Sequence, residues 1–502
     1  MRHLVFGLVM ALLLSSPAIS AGPGANAFIT NSGTTSSGAT DVSVIDAAAN
    51  VLGTAIPVGN STHGVAMDSQ GSRVYAASAP GTPGAVYAID AKSKQPVGSL
   101  IFPVTSFGEV SSPFGLAVSP DGKRLFMSHI VMRTINGRRR VFAGYLSIVD
   151  ITAGANGTVA MSVVGAPRLL GGATTGVAVS PLHNGTYSVY VANGDGSISV
   201  MDPVSFAFTS VLVDPANGVS LVGVAVSPDG ATLYAVGSLR DARGRLFGKL
   251  WSVTTASMGP AMNPIVNAVT VGNGPFGVAV SPNGQRVFVT NSTSNSVSVI
   301  DTASLADVLG SPFTVGNGPH GVAVRADGAV AYVVNRFDPP SVSVLNGATG
   351  EVTGTISMPM GSNPVAFGAF FSLPQFVEVK VHVVPAVVNV KAQGTVPVII
   401  YGETSPAGRV VFDVHTADAS SISFHGWPVK MKGNGEPMIN YGDFNGDGVE
   451  DMMVHINRDA PLDVTAQDVT ANADGCVAML KGQTLPPEKT AFQGCDKDVK
   501  FK

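Results

Sequence analysis

A short apolar segment that begins at a glycine recurs along the chain. Each copy is followed by segments in which apolar and polar residues alternate, such as RVFVTN and then VSVID, and this alternation predicts β-strands. The copies are HGVAMDSQG (63–71), FGLAVSPDG (114–122), TGVAVSPLHNG (175–185), VGVAVSPDG (222–230), FGVAVSPNG (276–284) and HGVAVRADG (320–328).

The spacing of these copies indicates the architecture. A fourth apolar segment, for example VLGSPFTVG, completes each unit before the next copy begins. Four short strands at a period of roughly 40–60 residues, joined by turns of the S-P-D-G type, predict the blades of a β-propeller.

The two ends of the array complement each other. Residues 26–58 contain the second, third and fourth strands of a unit but no first strand, whereas PVAFGAFF at 364–371 is a first strand with no successors. We therefore predict that the two segments pair in one blade. This pairing would close a ring of seven blades and leave no open sheet edge.

Composition agrees with an all-β chain. Of its 502 residues, 59 are glycine and only 12% are charged, which suits many short strands joined by tight turns. The net charge of −4 gives no bulk attraction for a polyanion. Any affinity for nucleic acid would require a local basic patch.

The first residues have the pattern of an export signal. Residues 1–20 carry an early arginine, an apolar run and then small residues suited to cleavage before Ala21. The run is too short to span a bilayer, and no later stretch is long enough. We expect a secreted, periplasmic or cell-surface protein without a membrane span, with a buried N-terminal helix as the alternative. The predicted domains are 1–20, 21–374 and 375–502.

The repeat also resembles a known family. The segment PFGVAVSPNGQRVFVTNSTSNSVSVID is similar to the YVTN-type repeat of β-propellers on bacterial and archaeal surfaces or in the periplasm, over roughly residues 26–371. The resemblance implies a propeller fold. The family and its relatives include adhesion-like proteins, DNA-binding propellers and lactonase-like enzymes, so the resemblance does not select an activity.

Two histidines precede first strands, and strand order places them at the mouth of the central channel. His63 and His320 occupy the same position in the repeat as Phe114 and Phe276. With His129 they form a candidate ligand-binding set, because histidine binds metals and titrates near neutral pH. The alternative is that these histidines carry no chemistry.

Two insertions between second and third strands are rich in arginine and lie on the same face. They span 129–145 and 239–249, and their candidate anion-binding residues are Arg133, Arg138, Arg139, Arg140, Arg240, Arg243 and Arg245. The alternative interpretation is a pair of extended, solvated hairpin tips.

The sequence gives no positive case for an enzyme. It contains no G-x-S-x-G nucleophile motif and no C-x-x-C-H haem-attachment motif, and we predict no organic cofactor. The preferred hypothesis is an exported, non-catalytic binding or scaffolding propeller with an unknown envelope or extracellular partner. A lactonase-like hydrolase at the channel mouth and a polyanion binder are the alternatives.

The sharpest chemical motif lies in the last domain. The loop DFNGDGVED offers oxygen ligands at the spacing that Ca²⁺ prefers, from Asp443, Asn445, Asp447, the Val449 carbonyl and Asp451. It departs from an EF-hand because no glutamate stands at the twelfth position and because the following MMVHI predicts a strand. A water-satisfied turn is the alternative.

Two further features belong to this domain. Its only cysteines, Cys476 and Cys495, indicate a disulfide in an exported protein, with two free thiols as the alternative. The segment from about 377 to 502 resembles a small β-sandwich module that is often appended to secreted bacterial proteins. That resemblance implies secretion and calcium rather than an activity.

Overall fold

The structure is a computed structural model. It describes residues 26–501 except 34–40, 60–61, 70, 79–83, 103–109, 136–137, 155–156, 183–185, 214–217, 242, 258–265, 367, 369, 372–375, 384–386, 389–394, 401–402, 405–409, 413–416, 425–426, 434–435, 443, 445–450, 458–477, 485–490 and 497–499. The predicted signal sequence, residues 1–20, lies outside the described residues.

The described residues up to 371 form seven consecutive antiparallel sheets, called blades 1 to 7 here. Blade 1 contains β1 (Asn26–Thr30), β2 (Asp41–Asp46), β3 (Val51–Leu52) and β4 (Ile56–Pro57). Blade 2 contains β5 (Thr62–Met67), β6 (Arg73–Ser78), β7 (Ala85–Asp90) and β8 (Gln95–Ile101). Blade 3 contains β9 (Val110–Val118), β10 (Arg124–Ile135), β11 (Arg138–Ala153), β12 (Val159–Val163) and β13 (Arg168–Gly171).

The remaining blades follow the same order of strands. Blade 4 contains β14 (Thr174–Val179), β15 (Val189–Asn193), β16 (Ser197–Met201) and β17 (Phe208–Leu212). Blade 5 contains β18 (Ser220–Val226), β19 (Thr232–Arg240), β20 (Leu246–Thr254), a 3₁₀ turn (Thr255–Ser257) and β21 (Val266–Val271). Blade 6 contains β22 (Pro275–Val280), β23 (Arg286–Asn291), β24 (Ser296–Asp301), β25 (Ala306–Asp307) and β26 (Phe313–Thr314). Blade 7 contains β27 (Pro319–Val324), β28 (Val330–Asn335), β29 (Ser341–Asn346) and β30 (Val352–Ser357).

The blades form a β-propeller, which confirms the predicted fold class. The first strand of each blade from 2 to 7 contacts the first strand of its neighbour along the chain, and the apolar core lies between adjacent blades. The predicted pairing of the chain ends is also confirmed. Asn31 bridges Pro364, Ala27 bridges Phe371, and the Phe28 amide donates to the Phe370 carbonyl at 2.8 Å.

The glycine that opens each first strand is required by the spacing between blades. A Cβ at Gly277 would lie 2.3 Å from the backbone carbonyl oxygen of His320 in the next blade, and one at Gly115 would lie 2.3 Å from that of Thr175. These obstacles are backbone atoms, so no side-chain rotation removes them. The glycine therefore recurs because adjacent blades approach too closely to leave room for a Cβ.

A second repeated device lies inside the blades. Asn291 at the end of β23 donates from Nδ2 to Ser298 Oγ on β24 at 3.0 Å, and Asn335 donates to Ser343 Oγ on β29 at 2.9 Å. Asn193 in blade 4 donates equivalently to Ser199 Oγ at 2.8 Å. These bonds join the second and third strands where they turn.

The C-terminal residues are also β-rich. Their strands are β31 (Phe376–Val383), β32 (Val387–Val388), β33 (Thr395–Ile400), β34 (Glu403–Thr404), β35 (Val410–Phe412), β36 (Ala417–Phe424), β37 (Trp427–Pro428), β38 (Ile439–Gly442), β39 (Asp451–Asn457), β40 (Ala478–Thr484), β41 (Ala491–Asp496) and β42 (Lys500–Phe501). One eight-stranded sheet has the order β37-β36-β40-β41-β31-β33-β39-β38, and β32 with β42 and β34 with β35 form two small sheets. Within the described part of the chain, no helix has the length and apolar character that a membrane crossing requires.

Candidate ligand-binding site at the channel mouth

A β-bulge re-aims one residue of the inner strand of blades 2 to 7 at the mouth of the channel. The register between first and second strands shifts at the residue before the glycine, for example between Pro275 and Val278 in blade 6 and between Pro319 and Val322 in blade 7. A bulge breaks the alternation of side chains and re-aims the extra residue. The residues placed in this way are His63, Phe114, Thr175, Val222, Phe276 and His320.

Hydroxyl groups fix the bulge and bind the blades together. In blade 6, Thr290 Oγ1 accepts a hydrogen bond from the Gly277 amide at 2.8 Å and donates to the His320 carbonyl of blade 7 at 2.6 Å. Thr30 likewise donates to the His63 carbonyl at 2.7 Å. The mouth residues are therefore held by the backbone at both sides, which gives their side chains a defined position.

Four of the mouth side chains form a continuous row of rings. Ring centroids are 5.6 Å apart for His63 and Phe114, 6.4 Å for Phe114 and Phe276, and 4.3 Å for Phe276 and His320. Phe114 and Phe276 belong to blades 3 and 6, on opposite sides of the ring, so the row crosses the channel. The prediction that these positions share the mouth is in agreement with this geometry.

Below the row the channel narrows and then widens. The inner glycines, among them Gly115, Gly277 and Gly321, surround a cavity of about 30 Å³. Further along the same strands, a cavity of about 310 Å³ is lined by apolar residues such as Met67, Val118, Val179, Val280 and Val324. The aromatic row therefore covers one end of the channel, and an apolar vestibule occupies the other.

His320 is held in its neutral form. Its Nδ1 lies 3.0 Å from the Gly318 carbonyl oxygen, and its Nε2 lies 3.4 Å from Nη1 of Arg336. Because a carbonyl only accepts and a guanidinium only donates, Nδ1 carries the proton and Nε2 accepts. Burial, chiefly, lowers the pKa of His320 to about 4, with Arg336 and His63 adding to the effect. At neutral pH, His320 is a poor base, and the lone pair on its Nε2 already accepts from Arg336.

Two residues beside His320 complete the site. The Arg336 Cζ lies 5.8 Å from the centroid of the Phe337 ring, and this ring meets His320 edge-on with centroids 6.1 Å apart. Arg336 is half-buried, whereas Phe337 is 51% exposed. These residues thus combine uncharged rings with the Arg336 cation at the mouth.

His129 is placed differently from the other two candidate histidines. It is 6% exposed on β10, its Nε2 lies 3.1 Å from Ser147 Oγ, and burial lowers its pKa to about 4. This is the position that Asn291 and Asn335 occupy in their blades. The structure therefore gives His129 the bracing contact of the repeat and does not bring it into the row of rings.

The arginine-rich insertions extend their strands. In blade 3, β10 and β11 continue past the core, and Arg133 stands opposite Arg140 in the register. In blade 5, Arg240 Nη1 donates to the Gly244 carbonyl at 2.8 Å, and Arg245 pairs with Asp241 at 2.9 Å. Backbone register also places Arg139 opposite Thr134 and Arg138 opposite Ile135, and Arg243 is exposed.

The calcium-type loop lies mostly outside the described residues, which exclude Asp443, Asn445, Asp447 and Val449. Asp451 is fully buried at the start of β39, and its Oδ2 accepts a hydrogen bond from the Phe444 amide at 2.8 Å. The predicted strand after the loop is confirmed by β39.

The predicted disulfide also cannot be placed, because Cys476 is outside the described residues. The backbone of Cys495 lies in β41. Among the described residues, no group of three His, Cys, Asp or Glu side chains is arranged to hold a metal ion.

No family model and no curated protein matches the chain. Among solved structures, it is similar to a chain of hydrazine synthase from Kuenenia stuttgartiensis, at 17% identity and a TM-score of 0.46, covering 68% of this chain and 100% of that one. It is also similar to a functionally unknown protein from Desulfotomaculum acetoxidans, at 14% identity and a TM-score of 0.48, covering 69% of this chain and 99% of that one.

A third similar structure is the dihydro-heme d1 dehydrogenase NirN, at 16% identity and a TM-score of 0.41, covering 71% of this chain and 77% of that one. At such identities and scores, no activity of these proteins transfers to this chain.

Sequence reasoning did not identify Arg336, Phe337 or the apolar vestibule. A signal for the first two was present in the repeated segments, where Arg336 and Phe337 replace Ser292 and Thr293 of the preceding copy. The vestibule residues form part of the apolar G-V-A-V segments, which the sequence pattern assigns only to strands.

Proposed function

We propose that the chain is an exported, non-catalytic binding protein of the YVTN-type propeller class, with seven blades and a ligand site at the channel mouth. The observation that carries this proposal is the row of four rings that crosses the mouth. The partly exposed rings of His63, Phe114 and Phe276, with buried His320 at one end of the row, offer a stacking surface for a planar ligand.

The chemistry of the histidines supports binding rather than catalysis. Nε2 of His320 accepts from Arg336, and the pKa of His320 lies near 4, so the imidazole is a weak base at neutral pH. The lactonase-like alternative depends on His63 and His320, and neither has a metal-binding group around it among the described residues.

The experiment compares the parent with one double variant, Phe276→Val with Phe114→Thr. The new residues are those found at the equivalent positions of blades 5 and 4. Ligand-observed NMR with planar aromatic fragments such as 2-naphthol should show binding to the parent and loss of binding in the double variant. A panel of lactones should show no turnover. Equal fragment binding by both proteins would refute the mouth site, and lactone hydrolysis abolished by His320→Phe would favour the enzyme.

The Arg-rich hairpins support a second candidate function, binding of a polyanion such as nucleic acid. Arg133 and Arg140 stand opposite each other on β10 and β11, which places positive residues together along an extended hairpin. A salt-dependent gel shift tests this: charge reversal at Arg138, Arg139 and Arg140 should weaken binding steeply at low salt. Affinity that is unchanged by the triple substitution would exclude the proposal.

We also propose that the 443–451 loop binds Ca²⁺ and that Cys476 and Cys495 form a disulfide. Asp451 supports the first proposal, because its buried carboxylate accepts a hydrogen bond from the Phe444 amide and so joins two described residues of this segment. Both features suit a calcium-rich, oxidising exterior.

A further inference from the structure

Blades 6 and 7 share one backbone frame but differ in the side chains around the mouth. The Ser292 amide donates to the Gly274 carbonyl at 2.8 Å, and the Arg336 amide makes the same bond to Gly318 at 3.1 Å. On this frame blade 6 carries Phe276, Ser292 and Thr293, whereas blade 7 carries His320, Arg336 and Phe337. Since blade 6 folds without them, the three residues of blade 7 are not needed to build a blade.

Together these three residues place a cation at the end of the aromatic row. The Arg336 Nη1 is 3.4 Å from Nε2 of His320, whose ring centroid is 4.3 Å from that of Phe276. Within the described part of the chain, no carboxylate lies within ion-pair distance of Arg336. The guanidinium has five N–H donors, and its contact with His320 uses one nitrogen.

Among the described residues the half-buried guanidinium of Arg336 has no counterion, which is energetically unfavourable. Partial burial removes water from the cation, and burial is what lowers the pKa of Arg336. An anion beside it would restore the lost solvation through charge-assisted hydrogen bonds. The neutral imidazole of His320 fixes the guanidinium without competing for that anion, because it contributes an acceptor and no charge.

We propose that the mouth binds an aromatic carboxylate, with its planar ring on the row of rings and its carboxylate on Arg336. The planar fork of a guanidinium matches a carboxylate through two parallel hydrogen bonds. A single arginine suits a monoanion better than a phosphate dianion. This inference rests on the proposed binding function and specifies its ligand class.

The test uses the full chain and three probes: 2-naphthoate, the uncharged 2-naphthylmethanol and acetate. By calorimetry, 2-naphthoate should bind about tenfold or more tightly than the alcohol, as expected for a hydrogen-bonded charge, and acetate should bind more weakly than both. The triple variant His320→Phe, Arg336→Ser, Phe337→Thr installs the residues of blade 6. It should retain binding of the alcohol and lose the preference for the carboxylate.

Two controls keep the test specific. Arg286→Gln removes one positive charge at the start of β23, the end of that strand away from the mouth, where Arg286 pairs with Asp301, and should leave the preference intact. Arg336→Gln should abolish the preference by itself, and the fluorescence of buried Trp251, recorded in a Trp427→Phe background, should show that each variant is folded.

The outcomes separate this inference from the proposed function. Equal affinity of the parent for 2-naphthoate and 2-naphthylmethanol, or a preference that survives Arg336→Gln, would overturn the carboxylate site while leaving an aromatic-binding mouth. Failure of the parent to bind either naphthyl compound would overturn both proposals.

Discussion

Replacing Gly277 by alanine should separate blades 6 and 7. The added Cβ would lie 2.3 Å from the His320 carbonyl oxygen, whereas ordinary contact begins at 3.4 Å, so the two backbones would have to move apart by about 1.1 Å. Overpacking of a close-packed interface costs about 1–3 kcal/mol. The movement also strains the bridge through Thr290 Oγ1, and loss of that hydrogen bond adds about 1 kcal/mol. We expect a total destabilisation of about 3 kcal/mol.

A matched variant is available in the next blade. Gly354 lies in β30, and its Cβ would meet nothing closer than the Val344 Cβ at 3.9 Å. Gly354→Ala should therefore leave the free energy of unfolding unchanged or raise it by about 0.5 kcal/mol, because alanine restricts the unfolded chain.

Urea unfolding followed by tryptophan fluorescence measures both variants. The chain has two tryptophans, Trp251 in blade 5 and Trp427 in β37, so a Trp427→Phe background confines the signal to the propeller. Gly277→Ala should unfold at a clearly lower urea concentration than Gly354→Ala. If the two midpoints coincide, the close approach of the blades does not explain the recurring glycine.

Three other predictions concern protonation, ring closure and calcium. Because the pKa of His320 falls from its ordinary value of 6.5 to about 4, the unfolded chain binds a proton that the folded chain rejects between these pH values. The urea midpoint should therefore decrease as pH falls from 6.5 to 4, and less so in His320→Phe; an identical decrease would contradict the assignment. Arg325 is 5% exposed and donates to the Ala47 carbonyl of blade 1 at 2.7 Å. Arg325→Ala should therefore lower the free energy of unfolding in urea by about 2–3 kcal/mol, whereas Arg286→Ala, at a partly exposed arginine, should lower it by less than about 1 kcal/mol. Equal decreases in the two variants would argue against a role of Arg325 in closing the ring. In thermal unfolding of the full chain, Ca²⁺ at about 100-fold above its dissociation constant should stabilise the C-terminal domain by about 2.7 kcal/mol. Mg²⁺ should stabilise it less, and Ca²⁺ should not stabilise the Asp447→Ala variant. An equal response to both ions would show that the loop is a turn without a calcium site.

The repeat itself made the propeller predictable. Every blade packs against its neighbours in the same way, so the same glycine, apolar strand and S-P-D-G turn recur. The chain therefore contains several copies of one sequence pattern. The complementary ends at 26–58 and 364–371 could be matched for the same reason. Position in the repeat also placed His63, Phe114, Phe276 and His320 at one mouth.

The side-chain contacts were less accessible from the sequence. Which aromatic side chains meet across the channel depends on the channel diameter and on the β-bulge. The sequence spacing of Phe114 and Phe276 predicts neither. His129 ends a second-strand segment at the repeat position of Asn291, and its contact with Ser147 shows that it also takes over the bracing role of that asparagine. Arg336 was overlooked because a single arginine in a turn resembles many solvated ones.

Closure by the two chain ends imposes an order on synthesis. When residues 26–31 leave the ribosome, their partner at 362–371 has not yet been made, and more than 300 residues must follow before β1 gains its neighbour. Until then blade 1 has a bare edge of unpaired amides and carbonyls, which is the kind of surface that joins the wrong strand. Blades 2 to 7 have local partners and can fold as they emerge. A chain that stops short of 364 would therefore keep its other blades and still lack the one junction that makes the ring continuous.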